Sequence, residues 1–383
     1  MPHYGEHQLR LADTMEQHGQ WPERSPWIRE AVGALPRDRF APDRLWTWDG
    51  HIYQPIDQAT EPDRWATAVY AGPDEPAVTQ VTGGIATSSL SAQSLVVDML
   101  DALLLEEGHR VLELGTGTGW NAGLLACRTS SLVTTVETDP ALALLARQRL
   151  DVAGATVAVE VGDGNAGWPA NARYDRVIAT YAVGRVPWDW VEQTVPGGRI
   201  VTPWGHLGHV ALTVADDGRS ASGWFQGLAM FMPARGTAPA RRYRQVREET
   251  PPTGDRPFLR ALEPLRDDWN LRFALRVALP DLQINTAVDE DGLNAWVHDR
   301  TSWASIAAVG DGRTIATQGG PRQLADDVEQ AWDQWIAEGR PTLYDYGMTV
   351  KPDGQYVWAH DAHTGPRWPT GPVAPATDNL LAG

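Results

Sequence analysis

The sequence has little cysteine, little positive charge and no long apolar run. A single cysteine in 383 residues, Cys127, excludes an internal disulfide; its place among apolar residues suggests packing rather than nucleophilic chemistry. Asp and Glu outnumber Lys and Arg by 49 to 32, a formal net charge of -17. That balance lacks the clustered positive field on which nucleic-acid binding depends. No apolar run approaches the length that spans a bilayer, and the first residues lack the basic and apolar pattern of a signal peptide. The expectation is a soluble, cytoplasmic protein with neither a nucleic-acid nor a membrane partner. His206 and His209 have no third ligand at suitable spacing nearby, so no metal site is expected. A surface or substrate-mouth position is the reading for His206.

What the sequence does contain is a glycine-dense turn. Val111–Leu114 reads as the end of a buried parallel strand, Gly115, Gly117 and Gly119 follow at alternate positions, and a helix starts at Trp120. The spacing G-x-G-x-G lacks the third glycine of the dinucleotide fingerprint and the lysine of a P-loop. Glu113, just before the turn, would repel a phosphate. It suits a cationic ligand, a sulfonium with an α-amino group, and therefore S-adenosylmethionine.

Two further strand ends support this ligand. Leu132–Val136 leads into Glu137-Thr138-Asp139, on the order of 20 residues past the loop, where an acid can accept ribose hydroxyls. Glu137 is the candidate and Asp139 the alternative. Val157–Val161 leads into Gly162-Asp163-Gly164, where an acid can accept the adenine amino group. The cofactor set is then Glu113, Gly115, Thr116, Gly117, Thr118, Gly119, Asn121, Glu137, Thr138, Asp163 and Gly164. Before the glycine loop, Val78–Val81 reads as a short strand. Thr82–Ser91 is small, hydroxyl-rich and flexible, a candidate substrate wall that would include Ser88, Ser89 and Leu90. Its other reading is an N-cap and linker ahead of a helix at Ser94–Leu105.

At this point the residues resemble a family, the protein-L-isoaspartate (D-aspartate) O-methyltransferases. Ser91-Ala92 matches the family's segment before the cofactor strand, with Gln93 in place of a proline and Val97 in place of an alanine. Leu35-Pro-Arg-Asp-Arg-Phe-Ala-Pro42 resembles its lead-in. Residues 113–122, 162–164, 174–183 and 196–204 match closely, and the likeness covers roughly residues 30 to 235. It implies transfer of the sulfonium methyl to a carboxylate of a peptide or protein. That carboxylate is already ionised at neutral pH, so no general base is required, and none of the Ser-His-Asp kind is evident. By the resemblance Ser91 orients the acceptor carboxylate. The ester product can then close to a succinimide (aspartimide) as the next backbone nitrogen displaces methanol.

The implied fold is α/β: a Rossmann-like class I methyltransferase, doubly wound and mostly parallel with an antiparallel edge hairpin, plus a smaller C-terminal α+β domain. The expected divisions are a helical and loop-rich lead-in over 1–75, the methyltransferase domain over 76–234, an Arg- and Pro-rich linker over 235–257, a substrate-recognition domain over 258–370 and a tail over 371–383. In the lead-in, His7–His18 is a helix, Ser25 caps a second at Pro26, and Trp46, Trp48, Tyr53 and Trp65 cover one edge. Beyond the linker, Leu271–Leu279, Asn294–His298, Trp303–Val309 and Thr314–Gln318 read as antiparallel strands with a turn at 310–312, and Pro321–Glu338 as an amphipathic helix. A second unit beyond the compact domain that repair requires suggests a larger acceptor. Actinobacterial relatives linked to tailoring of ribosomally made peptides give the first reading, acting on a constrained precursor peptide. General isoaspartyl repair is the alternative. A small-molecule methyltransferase, or a binding protein without transfer, is a further one.

Overall fold

In a computed structural model of the chain, which describes residues 4–130, 132–205, 207–237, 241–309 and 313–370, the first helices form where apolar residues recur at helical spacing. Helix α1 (Gly5–Gln17) buries Leu11 and Met15, and α2 (Trp27–Ala34) buries Ile28, Ala31 and Val32. Ser25 does not cap α2: Pro26 occupies the cap, and the Ser25 hydroxyl donates to Asp101 Oδ1 at 2.7 Å. An ionised acceptor competes well against backbone amides for that hydroxyl.

The lead-in is less irregular than expected. A hairpin, β1 (Arg44–Trp48) and β2 (Tyr53–Asp57), is followed by α3 (Pro62–Val69). With β3 (Ala77–Thr82) and β4 (Ile85–Leu90) these strands form a sheet of order β2-β1-β3-β4, so the boundary expected at residue 75 does not separate structures. The wall expected to be flexible over 82–91 is mostly strand β4. Gly83 and Gly84 both have positive φ, 59° and 78°, the geometry of a two-residue hairpin turn, and Ser88 and Leu90 are buried from the pleat. Trp65 is core rather than edge cover, 1% exposed with its indole donating to Pro42 O at 2.9 Å. Trp48 stays exposed against Tyr53.

Helix α4 (Gln93–Ala102) leads to the main sheet. Its elements are β5 (Val111–Leu114), α5 (Trp120–Thr129), β6 (Val133–Glu137), α6 (Pro140–Ala153), β7 (Ala158–Val161), β8 (Tyr174–Ala179), α7 (Trp188–Glu192), β9 (Thr194–Trp204), β10 (Gly208–Val214) and β11 (Ala221–Gly227). Strand order runs β11-β10-β9-β8-β5-β6-β7. β5 is parallel to β6 and β8, β6 to β7, and β8 to β9, whereas β10 is antiparallel to both β9 and β11. Every residue of β5 and β6 is buried, as strands covered on both faces must be. The chain leaves β5 to one side for β6 and returns on its other side as β8, and ligands bind at such a switch. Cys127 is exposed on α5 rather than packed, because the buried positions there are Leu124, Leu125 and Thr129.

The chain divides into Met1–Arg235 with Thr349–Asp353, and Gly236–Met348 with Gly354–Gly383. The expected linker over 235–257 is not one. Arg235 belongs to the first unit, and the rest contributes α8 (Tyr243–Glu249) and β12 (Pro252–Pro257) to the second. β12 pairs with β16 and so must be ordered with it. The second unit continues with α9 (Glu263–Asp267), α10 (Trp269–Ala278), β13 (Gln283–Asp289), β14 (Gly292–His298), β15 (Trp303–Ala308), β16 (Thr314–Gly319) and α11 (Leu324–Ala337). Its antiparallel sheet runs β12-β16-β15-β14-β13. Residues 271–279, expected as strand, are helix α10. Asp268 accepts from Asn270 N and Leu271 N to cap it, and Leu271, Ala274 and Leu275 share its buried face. Helix α11 buries Leu324, Val328, Trp332 and Trp335 as its period predicts. β17 (Tyr346–Lys351), β18 (Gly354–Ala359) and β19 (Arg367–Pro369) close the described chain. The turn at 310–312 and the tail over 371–383 lie outside the described residues.

One residue of the lead-in motif ties the first unit together. Arg37 is 1% exposed. Its guanidinium donates to Val69 O at 3.1 Å and to Ser91 O at 2.6 Å, with a longer contact to Leu90 O at 3.4 Å, and lies 5.1 Å from the Trp120 ring centroid. Among the described residues no carboxylate forms an ion pair with it, and burial pulls its pKa down to about 10, which still leaves it charged at neutral pH. Carbonyl dipoles and the indole face therefore carry the whole cost of burying the charge. Arg37→Met, which leaves the three carbonyls unpaired, is expected to cost about 3 kcal/mol or more in chemical denaturation. Arg39→Met, at an exposed neighbour, should change stability by about 0.5 kcal/mol or less.

Candidate active site

The site is built at the carboxyl ends of β5, β6 and β7. Gly115, Gly117 and Gly119 all have positive φ, so the loop turns without side chains between backbone and ligand space. A Cβ on Gly117 would meet only Ser88 Oγ, at 4.0 Å. The hydroxyl-rich strand β4 thus faces the loop across an open space. At Gly115 the opposite holds: a Cβ would lie 2.5 Å from Thr180 Oγ1 and 3.0 Å from the Tyr181 ring. Gly164 is closed in the same way by the Tyr181 hydroxyl. Tyr181 therefore forms the floor between the β5 and β7 ends.

Glu137 is 5% exposed at the end of β6, and its carboxylate accepts from Gly117 N at 2.9 Å and Asp139 N at 3.1 Å. Asp139, the alternative to Glu137, is committed elsewhere. It caps α6 through Ala141 N and Leu142 N and pairs with Arg235 at 3.0 Å. Arg235 also donates to Gln80 Oε1 at 2.8 Å, so this arginine fastens the β3–β4 hairpin beside the β6 end. Asp163 is exposed and accepts from Asn165 N at 2.9 Å, while Gly164 is buried.

Glu113 differs from expectation. It is 0% exposed, with Oε1 taken by Asn121 Nδ2 at 2.7 Å and Oε2 by the Thr135 hydroxyl. Thr135 is in turn 2.7 Å from the Thr116 hydroxyl. The carboxylate is directed at these partners rather than at open space, and all of β5 is buried. Glu113 instead fixes the loop residue Thr116 and the helix residue Asn121 from below. Thr118 is buried and Thr138 exposed. Ser89 and Ser91 are half-buried beside buried Ser88 and Leu90. His206 lies outside the described residues. His209 faces no substrate space; it is fully buried, and burial lowers its pKa to about 4. Among the described residues no group of three metal-ligating side chains occurs.

Tyr181 and Thr180 carried no role in the sequence reading. The signal was their position at the exit of β8, the next strand end in the series that had already pointed to Glu137 and Asp163. Burial, with Asp163 and Glu137 nearby, pushes the Tyr181 hydroxyl well above its usual range, so it stays protonated.

An open cradle at Gly117, a carboxylate at the second strand end, another at the third and an aromatic floor fit a nucleoside cofactor. With the strand order they define a Rossmann-like class I methyltransferase. The family model "Protein-L-isoaspartate(D-aspartate) O-methyltransferase (PCMT)" matches residues 10–226. The chain belongs to that family, and it is an S-adenosylmethionine-dependent methyltransferase acting on protein or peptide substrates. A protein-L-isoaspartate O-methyltransferase of Pyrococcus abyssi is 40% identical over 54% of this chain and 83% of its own length. One of Thermococcus sibiricus is 32% identical over 54% and 82%. A solved protein-L-isoaspartate O-methyltransferase matches with a TM-score of 0.53 at 19% identity, over 92% of this chain and 100% of its own. That likeness shows the fold. The matched span also extends past Arg235 into the second unit.

The buried Glu113 generates a pH prediction. Burial, with Glu137 adding to it, raises its pKa from the ordinary 4.5 to about 7 against the opposing hydrogen bonds of Thr135 and Asn121. Between those values the folded state holds the proton and the unfolded state releases it, so this group removes stability as pH rises through that window. Glu113→Gln should therefore gain stability relative to wild type from pH 5 to pH 7, read as the difference in denaturation midpoint. A constant difference across the window would refute the raised pKa.

Proposed function

We propose that the chain methylates the free carboxylate of isoaspartyl residues in damaged polypeptides generally, rather than one dedicated peptide. The observation that carries this reading is the family match over residues 10–226, together with a protein-L-isoaspartate O-methyltransferase that is 40% identical over 83% of its own length. A solved structure of the same fold whose match spans the second unit as well supports reading that unit as part of a general enzyme.

In this proposal Glu137 accepts the ribose hydroxyls, Asp163 the adenine amino group, and the amides of the Gly115–Gly119 loop line the remainder. The bound cofactor supplies an electrophilic sulfonium methyl. Ser91 donates its hydroxyl to the acceptor carboxylate and orients it, while Ser88, Ser89 and Leu90 wall the site. The nucleophile is already ionised, so alignment and exclusion of water are the chain's contribution. Arg37 supports that alignment by holding the Ser91 carbonyl at 2.6 Å.

The deciding experiment is methyl transfer from labelled S-adenosylmethionine to a short linear isoaspartyl peptide and its aspartyl twin. Base-labile label on the isoaspartyl peptide alone is the expected result. No transfer to either, with normal cofactor binding, would instead indicate a dedicated constrained peptide. Ser91→Ala should lower kcat roughly tenfold, the loss of one orienting hydrogen bond to an ionised group, with cofactor affinity nearly unchanged. Glu137→Ala should do the reverse, weakening cofactor binding by calorimetry about tenfold or more. Equal loss of both quantities in Ser91→Ala would remove its orienting role.

A further inference from the structure

The second unit contains a cavity of about 930 Å³. Arg242, Arg244, Arg247 and Glu248 line it from α8 and its entry, and Asn285 and Trp296 from the sheet. The walls are built rather than incidental. Asn285 on β13 and Trp296 on β14 are direct register partners, so their side chains stand on one face of the sheet. The residues flanking Trp296, Ala295 and Val297, are fully buried on the other face.

Helix α8 is pinned onto the Trp296 face. Val246 is 0% exposed, and Tyr243 is edge-on to His298 and Trp303, with ring centroids 5.9 and 6.1 Å away. The His298 ring lies 2.8 Å from Arg241 O, and the Trp303 indole donates to Thr250 O at 2.8 Å. Both ends of the helix are thereby held, and the arginines project from a fixed element.

Among the described residues, none of Arg242, Arg244 and Arg247 is in an ion pair, whereas neighbouring Arg241 pairs with Glu249 at 2.5 Å. Arg247 is steadied over the Trp303 ring at 5.2 Å. Three guanidiniums against the one carboxylate of Glu248 make a positive cavity in a chain of net charge -17. Guanidinium forks match carboxylates in geometry as well as charge. Trp296 offers an apolar flank, and the Asn285 amide can both donate and accept, which suits a peptide backbone.

We propose that this cavity docks an acidic stretch of the polypeptide whose carboxylate is methylated, an inference that rests on the function proposed above. It would select substrates by the charge of the polypeptide that carries the damaged residue.

The test uses the full chain and a short fluorescein-labelled peptide of alternating glutamate and serine. Fluorescence anisotropy is expected to show binding that weakens with added salt. It should weaken about tenfold or more in the double variant Arg242→Gln, Arg244→Glu, and in Trp296→Ala by a smaller factor. In parallel, an isoaspartyl peptide with a glutamate-rich extension should show a lower KM than its glutamine twin. The double variant should erase that difference and leave kcat and turnover of the glutamine twin unchanged, which also shows that the variant folds. Wild-type affinity in the double variant, equal KM for the two peptides in wild type, or arginine-dependent binding of a single-stranded oligonucleotide but not of the peptide would each overturn the proposal. Arginine-dependent peptide binding without methylation of either isoaspartyl peptide would overturn the acceptor assigned above while supporting the cavity as an acidic-peptide site.

Discussion

The first unit depends on a buried positive charge that, among the described residues, is paired with no carboxylate. Arg37 reaches Val69 O, Ser91 O and the Trp120 ring from the middle of the lead-in motif. Each contact belongs to a different part of the chain: helix α3, the entry to α4, and the helix after the glycine loop. A guanidinium is suited to this because its five donors radiate in one plane and it stays charged when desolvated. The Trp120 indole, donating to Leu35 O at 2.8 Å, closes the same knot from the other side. The end of β4 and the helix after the glycine loop are thus fixed to one another by a single guanidinium.

A second constraint lies beneath the glycine loop. Glu113, Asn121, Thr135 and Thr116 form one buried hydrogen-bonded set. Such a set stiffens what it connects when every member is satisfied. Here it connects the central strand, its parallel neighbour, the loop and the following helix, so the glycine loop is held by a rigid frame. The acid nearest the loop acts as part of the frame, and Glu137, one strand over, is left as the carboxylate at the loop's edge.

Much of this was legible in advance. The glycine turn, the strand ends at Glu137 and Asp163, the β10–β11 hairpin and the face of α11 follow from period and turn chemistry, which are local properties. Three segments are not legible locally. The short apolar run at 271–279 has no distinctive period, and only Asp268 as a cap marks it as helix. The Ser and Thr of 82–91 are ambiguous between strand and coil until their partner strand is known. Within 235–257, an edge strand such as β12, rich in proline and charge, carries no apolar signal.

What the sequence alone determined is the class of chemistry, since strand, glycine turn and helix with acids at the following strand ends is a pattern readable along one dimension. What only the tertiary structure decided is which way each polar side chain faces. Glu113 turned inward to Thr135 and Asn121, Asp139 was spent on a helix cap and Arg235, and Tyr181 came forward as the floor. The arginines of α8 gathered around Trp296 instead of trailing in a linker. Most of these outcomes depend on partners distant in the chain, as far as Arg235 is from Asp139, and a hydrogen bond or ion pair of that span leaves no local trace, because its energy is set by burial and geometry that exist only once the strands have assembled.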